Sequence, residues 1–258
     1  IHSEINQLRS DQGGTVSGRL SYSNPNLQQI PARNKEYGDK IRSLFLPEEG
    51  RQWGSFDYSQ QEPRLVAHYA AAVDNNFTGA DEFIEAYKNE AADFHQIVAD
   101  MAGISRTNAK TINLGLFYGM GKAKLAKELG ISKDAADNLL NKYHSRVPFV
   151  KKLAEAVTGS ASKYGFIRTI KGRKCRFDMW EPATFGMNKA MQYEEAKAIY
   201  GNNIRRAFTY KALNRLIQGS AADQTKQAMI NCYKAGYMPL LQIHDELCFS
   251  INEENDIK

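Results

Sequence analysis

Three stretches of the chain alternate apolar and polar residues, which is the period of a β-strand. The first, residues 53–58, ends in a polar turn, and Pro63 then fits the first turn of a helix. The second, residues 164–178, turns at a Lys-Gly step and predicts a β-hairpin. The third, residues 238–251, predicts two strands joined by a polar turn.

Helical spacing of apolar residues dominates residues 64–160 and returns over residues 187–235. Within the first of these regions, the pattern predicts a helix through residues 80–102 that stops at Gly103. A second helix begins at Ser105 and runs towards residue 118, and a third covers residues 132–143. Long helical segments therefore separate the strands.

The first 50 residues are rich in Ser, Asn, Gln, Gly and Pro and predict loops and short strands. The order is thus strands, a long helical insert and strands again. This order predicts an α+β chain whose sheet is assembled from distant parts of the sequence.

The composition of the chain excludes only a few classes of protein. The chain has 258 residues, a net charge of +5 and three cysteines without metal-site spacing, so we expect neither a disulfide framework nor a zinc site. A mildly basic chain suits a polyanionic partner without requiring one. Because it has no apolar leader and no membrane-length apolar run, we expect a cytoplasmic protein without a targeting signal. With no initiator Met and a polar end, it reads as a piece of a longer polypeptide.

Two acidic residues stand at predicted strand ends, Asp57 and Asp245. Either one alone is more often a turn or cap residue than a metal ligand. If the two strands lie side by side, however, the carboxylates offer the hard oxygen ligands that Mg²⁺ prefers. Two such ions can activate an attacking hydroxyl and stabilise a leaving oxygen in phosphoryl transfer.

A stripe of side chains recurs every four residues on the second predicted helix, from Arg106 through Lys110 and Leu114 to Tyr118. It is about 18 Å long. Two cations at one end and an aromatic ring at the other match a nucleoside triphosphate laid along the helix. On spacing alone, an amphipathic surface helix with solvated cations explains the same stripe.

Five sequence motifs follow one another along nearly the whole chain. They are T-V-S-G-R-L-S-Y-S-N-P-N-L-Q-Q-I-P, D-Y-S-Q-Q-E-P-R, R-T-N-A-K-T-I-N-L-G-L-F-Y-G, L-N-R-L-I-Q-G-S-A-A-D and H-D-E. Together they resemble the motifs of family A DNA polymerases. The second and fifth resemble the two carboxylate motifs of that family, the third its nucleotide-binding motif, and the first and fourth its primer-template motifs.

The resemblance implies a polymerase fold with a palm, built on an antiparallel sheet, and a mainly helical fingers insertion. Residues 1–64 and 206–258 would form the palm and residues 65–205 the fingers, with the thumb and a proofreading exonuclease absent from this chain. A processivity factor or helicase would bind through regions outside the chain, and no membrane is involved.

The resemblance also implies a catalytic centre. Asp57 and Asp245 would ligate two Mg²⁺ ions, which Mn²⁺ can replace, with help from the carbonyl of Tyr58. Glu246 would stand in a supporting position. Template-directed addition of dNMP to a primer 3′-OH would follow.

Further roles are implied for the substrates. Glu62 would exclude the 2′-hydroxyl of a ribonucleotide. The dNTP site would comprise Gln60, Glu62, His95, Arg106, Lys110, Leu114 and Tyr118. Primer-template DNA would be contacted by Arg19, Asn26, Gln28, Asn214, Gln218 and His244, although a local loop hydrogen bond competes as an explanation for each of them.

Two positions depart from the family pattern. Leu114 stands where the family usually has Phe or Tyr, and Tyr210 stands where bacterial members tend to have Arg. These departures leave the rate and the handling of the sugar's 3′ side open. Three other functions also remain: a single-subunit RNA polymerase, a non-catalytic nucleic-acid-binding module and a two-metal nuclease.

Overall fold

The computed structural model describes residues 2–8, 10, 13–31, 36–73, 84–85, 93–117, 120–184 and 189–252. Helices and antiparallel sheets alternate along the chain, as the α+β prediction requires. The α-helices are α1 Gly38–Arg42, α2 Gln61–Val73, α3 Phe94–Ala102, α4 Arg106–Phe117, α5 Lys122–Leu129, α6 Lys133–Arg146, α7 Pro148–Tyr164, α8 Tyr193–Tyr200 and α9 Ala212–Lys234. The strands are β1 Glu4–Asn6, β2 Ser21–Ser23, β3 Gln52–Asp57, β4 Phe166–Arg168, β5 Lys174–Arg176, β6 Trp180–Pro182, β7 Ile204–Arg206, β8 Leu241–Ile243 and β9 Glu246–Ile251.

The chain divides into two compact units. The first consists of Ile1–Gln61 and Gln218–Lys258, and the second of Glu62–Ile217. The first unit is therefore built from both ends of the sequence, and the second is inserted between them.

A three-stranded antiparallel sheet, in the order β3-β9-β8, organises the first unit. The predicted strand near residue 57, β3, pairs with the second of the two strands near residue 245, β9, which in turn pairs with the first, β8. One face of β9 is apolar, with Leu247, Phe249 and Ile251 buried. Side chains from α9 cover this face, namely Ala228, Met229 and Cys232. Burial of this face fixes the register, because a shift of one residue would turn it towards water.

Sequence signals explain where the helices of the second unit begin and end. The side chain of Asp93 caps α3, and that of Ser132 caps α6. Pro148 occupies the first turn of α7 and separates it from α6. The hairpin predicted over residues 164–178 is confirmed as β4 paired with β5.

Three details of the sequence-based prediction were wrong. The helix expected through residues 80–102 cannot be continuous, because Asp93 is in an extended conformation and α3 begins after it. Strand β7 interrupts the helical texture expected over residues 187–235. The apolar segment near residue 41, expected in a loop or strand, includes part of α1. Elements of three to five residues are too short to display a period.

Within the part of the chain that the structure describes, no helix is long and apolar enough to cross a membrane. The three cysteines carry free thiols, and two of them, Cys175 and Cys248, are buried.

Candidate active site

The two predicted metal ligands lie at one edge of the three-stranded sheet. Asp57 is the last residue of β3 and pairs directly with Glu246, the first residue of β9. Asp245 lies in the turn immediately before Glu246. Directly paired residues in antiparallel strands have Cα atoms about 4.5–5.5 Å apart, so the fold brings three carboxylates of the first unit together.

Mutual repulsion of these carboxylates is visible at Asp57. Burial raises the pKa of its carboxyl group above the usual range, and the negative charges of Asp245 and then Glu246 raise it further. A backbone hydrogen bond at Tyr58 partly opposes this rise. A cation held by Asp57 and Asp245 would relieve this repulsion.

Glu246 differs from Asp57 in being held by neighbouring side chains. The hydroxyl of Ser55 donates a hydrogen bond to its Oε1 atom. The thiol of Cys248 lies 3.8 Å from the same oxygen. These contacts favour a supporting role for Glu246 and leave the two aspartates as the freer oxygen donors.

This donor set suits an ion that keeps water and substrate among its ligands. Two aspartates are too few to enclose a cation, and the described residues contain no group of three or more His, Cys, Asp or Glu arranged to hold one. Mg²⁺ retains several waters and is commonly held by one or two carboxylates together with substrate phosphates. Asp57 and Asp245 therefore fit Mg²⁺.

A cavity that borders Asp57 does not fit a triphosphate. It has a volume of about 550 Å³ and lies on the apolar side of the sheet, where Phe56, Leu247 and Phe249 form its wall. No Lys or Arg is among the described residues that line it. Phosphate recognition must come from other residues.

Gln242 is a buried connection that sequence reasoning missed. Its Oε1 atom accepts hydrogen bonds from the Tyr22 hydroxyl at 3.5 Å and from the Gln28 amide at 3.1 Å. Its own amide donates to the carbonyl of His244. His244 has a φ of 57°, an uncommon conformation for a residue other than glycine. Gln242 thus links predicted primer-template residues to the turn that carries Asp245.

The other predicted primer-template residues are placed separately. The side chain of Asn26 accepts a bond from the backbone of Gln28 and caps a short 3₁₀ helix, which is the competing local explanation. Arg19 is half-buried in the first unit. Asn214 and Gln218 are both half-buried on α9, the first in the second unit and the second in the first.

Arg106 and Lys110 are exposed near the start of α4, as the stripe predicts. Arg106 makes two bonds to Oδ2 of Asp93, at 2.9 and 2.6 Å. Partial burial alone would raise the pKa of Asp93, but the hydrogen bonds from Arg106 and from the start of α3 lower it below the usual range. The side chain of Leu114 and all of Tyr118 lie outside what the structure describes.

His95 lies close enough to Arg106 and Lys110 for their charges to affect the pKa of its ring. Burial lowers the pKa of its imidazole; the nearby Asp93 opposes this effect, whereas Arg106 and Lys110 reinforce it. Its Nδ1 atom lies 3.2 Å from the side-chain nitrogen of Asn113. The second unit therefore gathers three of the predicted triphosphate contacts in one place.

Gln60 and Glu62 lie on either side of the start of α2. Gln60 is half-buried with a φ of 53°, and Glu62 lies in the first helical turn. Between them, sequence reasoning passed over Gln61. Its buried amide is 3.3 Å from the carbonyl of Ala221 and 3.3 Å from the hydroxyl of Thr225. It anchors the start of α2 to the part of α9 in the first unit.

Comparison with known proteins gives one consistent answer. The family model for DNA polymerase family A matches residues 1–257. A DNA-directed DNA polymerase of Pseudomonas phage M6 is 38% identical over 98% of this chain and 42% of its own length. DNA polymerase I of Pseudomonas aeruginosa is 33% identical over 94% of this chain and 25% of its own length.

A solved structure agrees with these sequence relatives. The POL domain of Pol1 from M. smegmatis, in complex with DNA primer-template and dNTP, matches with a TM-score of 0.74 and 33% identity. The match covers 99% of this chain and 42% of that chain. This chain thus spans less than half the length of the relatives it matches. By sequence and by fold, it belongs to DNA polymerase family A.

Proposed function

We propose that this chain is the catalytic core of a template-directed DNA polymerase that adds dNMP to a primer 3′-OH. The observation that carries the proposal is the meeting of Asp57, Asp245 and Glu246 at one edge of the palm-like sheet, where burial and like charges raise the pKa of Asp57. Family A polymerases use divalent metal ions, and this cluster is the place for them.

Asp57 and Asp245 would hold two Mg²⁺ ions, with the Tyr58 carbonyl completing the protein ligands and Mn²⁺ as an alternative metal. When bound, the ions would activate the primer hydroxyl and stabilise the leaving oxygen. Glu246, held by Ser55 and Cys248, would fix the geometry of the edge.

Residues mainly of the second unit would recognise the incoming dNTP. Arg106, Lys110 and His95 would bind the phosphates, since their charges and hydrogen-bond donors lie together. Glu62 would reject the 2′-hydroxyl of a ribonucleotide. Gln60, Leu114 and Tyr118 would complete the site around the sugar.

Primer-template DNA would be held near the growing end by Arg19, Asn26, Gln28, Asn214, Gln218 and His244. Minor-groove acceptors occupy similar places in every base pair, so these contacts would check the shape of the pair rather than its sequence. The Gln242 connection supports this role for Gln28 and His244.

The names of the polymerase subdomains follow from these roles. Residues 1–64 and 206–258 would be the palm and residues 65–205 the fingers. Rotation of α4 upon correct pairing would deliver the triphosphate to the carboxylates. The reaction would take place in the cytoplasm of a bacterial or phage-infected cell.

Primer extension by the intact protein tests the function. We expect Mg²⁺-dependent extension with dNTPs, loss of extension upon chelation and recovery with Mn²⁺. Equal use of NTPs would favour an RNA polymerase. DNA binding without extension would favour a non-catalytic module, and primer shortening would favour a nuclease.

A further inference from the structure

Three side chains from three helices of the second unit form a hydrogen-bonded chain that ends on His95. The hydroxyl of Tyr143, on α6, lies 2.6 Å from Oδ1 of Asn113, on α4. The Nδ2 atom of Asn113 lies 3.2 Å from Nδ1 of His95, the second residue of α3. Tyr143 and Asn113 are each 0% exposed, and His95 is half-buried.

The hydroxyl of Tyr143 determines which way the Asn113 amide faces. A separation of 2.6 Å suits O–H···O and is shorter than the usual N–H···O range. Within the described part of the chain, Asn113 Oδ1 is also the single acceptor recorded for this hydroxyl. With the amide reversed, the buried O–H would lose its acceptor, which is unfavourable. The amide oxygen therefore faces Tyr143, and the NH₂ group faces His95.

An NH₂ group can only donate, so the imidazole nitrogen that it meets must accept. A neutral histidine accepts at one ring nitrogen and carries its proton on the other. If Nδ1 accepts from Asn113, the proton resides on Nε2. The outer nitrogen of His95 is then a hydrogen-bond donor even when the ring is uncharged.

We propose that Asn113 and Tyr143 are positioning residues that hold His95 as its Nε2–H tautomer, so that the ring donates a hydrogen bond to an oxygen of the bound triphosphate. The tautomer follows from the three side chains alone. Only the identity of the acceptor rests on the proposed polymerase function.

The charges around His95 agree with an uncharged ring. Burial lowers the pKa of the imidazole; Asp93 raises it, and Arg106 and Lys110 lower it. A neutral ring that donates through Nε2 can bind phosphate between two cations without adding a third positive charge. With this tautomer, His95 can donate a hydrogen bond to a phosphate oxygen without carrying a positive charge.

Solution NMR of the intact protein, labelled with ¹⁵N-histidine, reads the tautomer directly. The chain contains five histidines, and loss of a signal in His95→Ala identifies the one that matters. Near neutral pH, without DNA or nucleotide, we expect a neutral ring with the proton on Nε2. A proton on Nδ1 would overturn the proposal, and so would a doubly protonated ring.

Two substitutions test the roles of Asn113 and Tyr143. Asn113→Asp keeps the shape but replaces the donor with an acceptor, so the His95 proton should move to Nδ1 or the ring should become doubly protonated. Tyr143→Phe leaves the amide free to turn, so both tautomers should be populated. An unchanged Nε2–H signal in both folded variants would refute the proposed relay, that is, the control of the His95 tautomer by Asn113 and Tyr143.

Steady-state kinetics separates the relay from the polymerase function. Asn113→Asp should raise the KM for dNTP at least about fivefold, and this effect should disappear in a His95→Ala background. If the tautomer is as expected but His95→Ala leaves the KM unchanged, the phosphate role fails while the relay stands. If His95→Ala raises the KM but the proton resides on Nδ1, the relay fails while the phosphate role stands.

Discussion

Arg106 has a protein partner as well as a proposed substrate. Its guanidinium bonds to Asp93, whose carboxylate also caps α3. The pair is half-exposed, with 50% and 36% of the two side chains accessible, and exposed pairs contribute about 0–1 kcal/mol. A triphosphate that binds Arg106 as proposed would therefore displace Asp93 at small cost, and Asp93 would act as a weak competitor for Arg106.

Asp93→Asn should isolate this competition, because Asn caps a helix as well as Asp does. We expect the apparent KM for dNTP to fall by up to about fivefold, the equivalent of about 1 kcal/mol. Steady-state primer extension measures the change. Asp137→Asn, which breaks the exposed pair with Lys122, is the control and should have no effect. A rise in KM for Asp93→Asn would mean that Asp93 instead orients Arg106.

Glu62, in the first turn of α2, is the proposed barrier against ribonucleotides. Glu62→Ala should raise the ratio of NTP to dNTP incorporation by about tenfold, or about 1.4 kcal/mol of lost discrimination. Competition between matched nucleotides in primer extension measures the ratio. Glu128→Ala, an exposed carboxylate on α5, serves as the control. An unchanged ratio for Glu62→Ala would remove Glu62 from sugar selection.

At the scale of elements, the turn between β8 and β9 depends on Gln242. This side chain is 5% exposed. It accepts a hydrogen bond from the amide of Gln28, which is distant in sequence, and donates one to the carbonyl of His244 in the turn. The position of Asp245 thus depends on a residue three positions earlier in the chain.

Gln242→Met keeps the volume but removes every hydrogen bond of the amide. We expect a loss of about 1–3 kcal/mol in the free energy of unfolding, because buried partners are left unpaired, together with reduced primer extension. Denaturant titration measures the first effect. The control is Gln227→Met, whose amide donates a hydrogen bond to Asn231 on an exposed part of α9. Equal stability of the two variants would contradict the structural role of Gln242.

Sequence patterns predicted those elements and residues whose signals are local. The strand ending at Asp57 and the strand-turn-strand around Asp245 each display their own alternation. Asp93 could also have been found, since an Asp directly before an apolar helical run is a typical cap. Strand β7 could not, because its three residues pair with β6 across a long connection.

Across the whole molecule, the missed residues share one property: they act through contacts between distant parts of the chain. Gln242 meets Gln28 across 214 positions, and Tyr143 meets Asn113 across 30. Such partners leave no trace in the local pattern of a single sequence. The family motifs identified the residues proposed to touch substrate, whereas the residues that hold them in place emerged only from the fold.

The proposed polymerase activity depends most on the carboxylates that the first unit brings together. Single-turnover primer extension by Asp245→Asn in the intact protein, with DNA binding measured in parallel, tests it most directly. Extension should fall by about a thousandfold, the equivalent of about 4 kcal/mol of transition-state stabilisation, with DNA binding unchanged. Asp39→Asn, an exposed carboxylate on α1, should extend normally. Extension by Asp245→Asn at the wild-type rate would contradict the assignment of the catalytic centre.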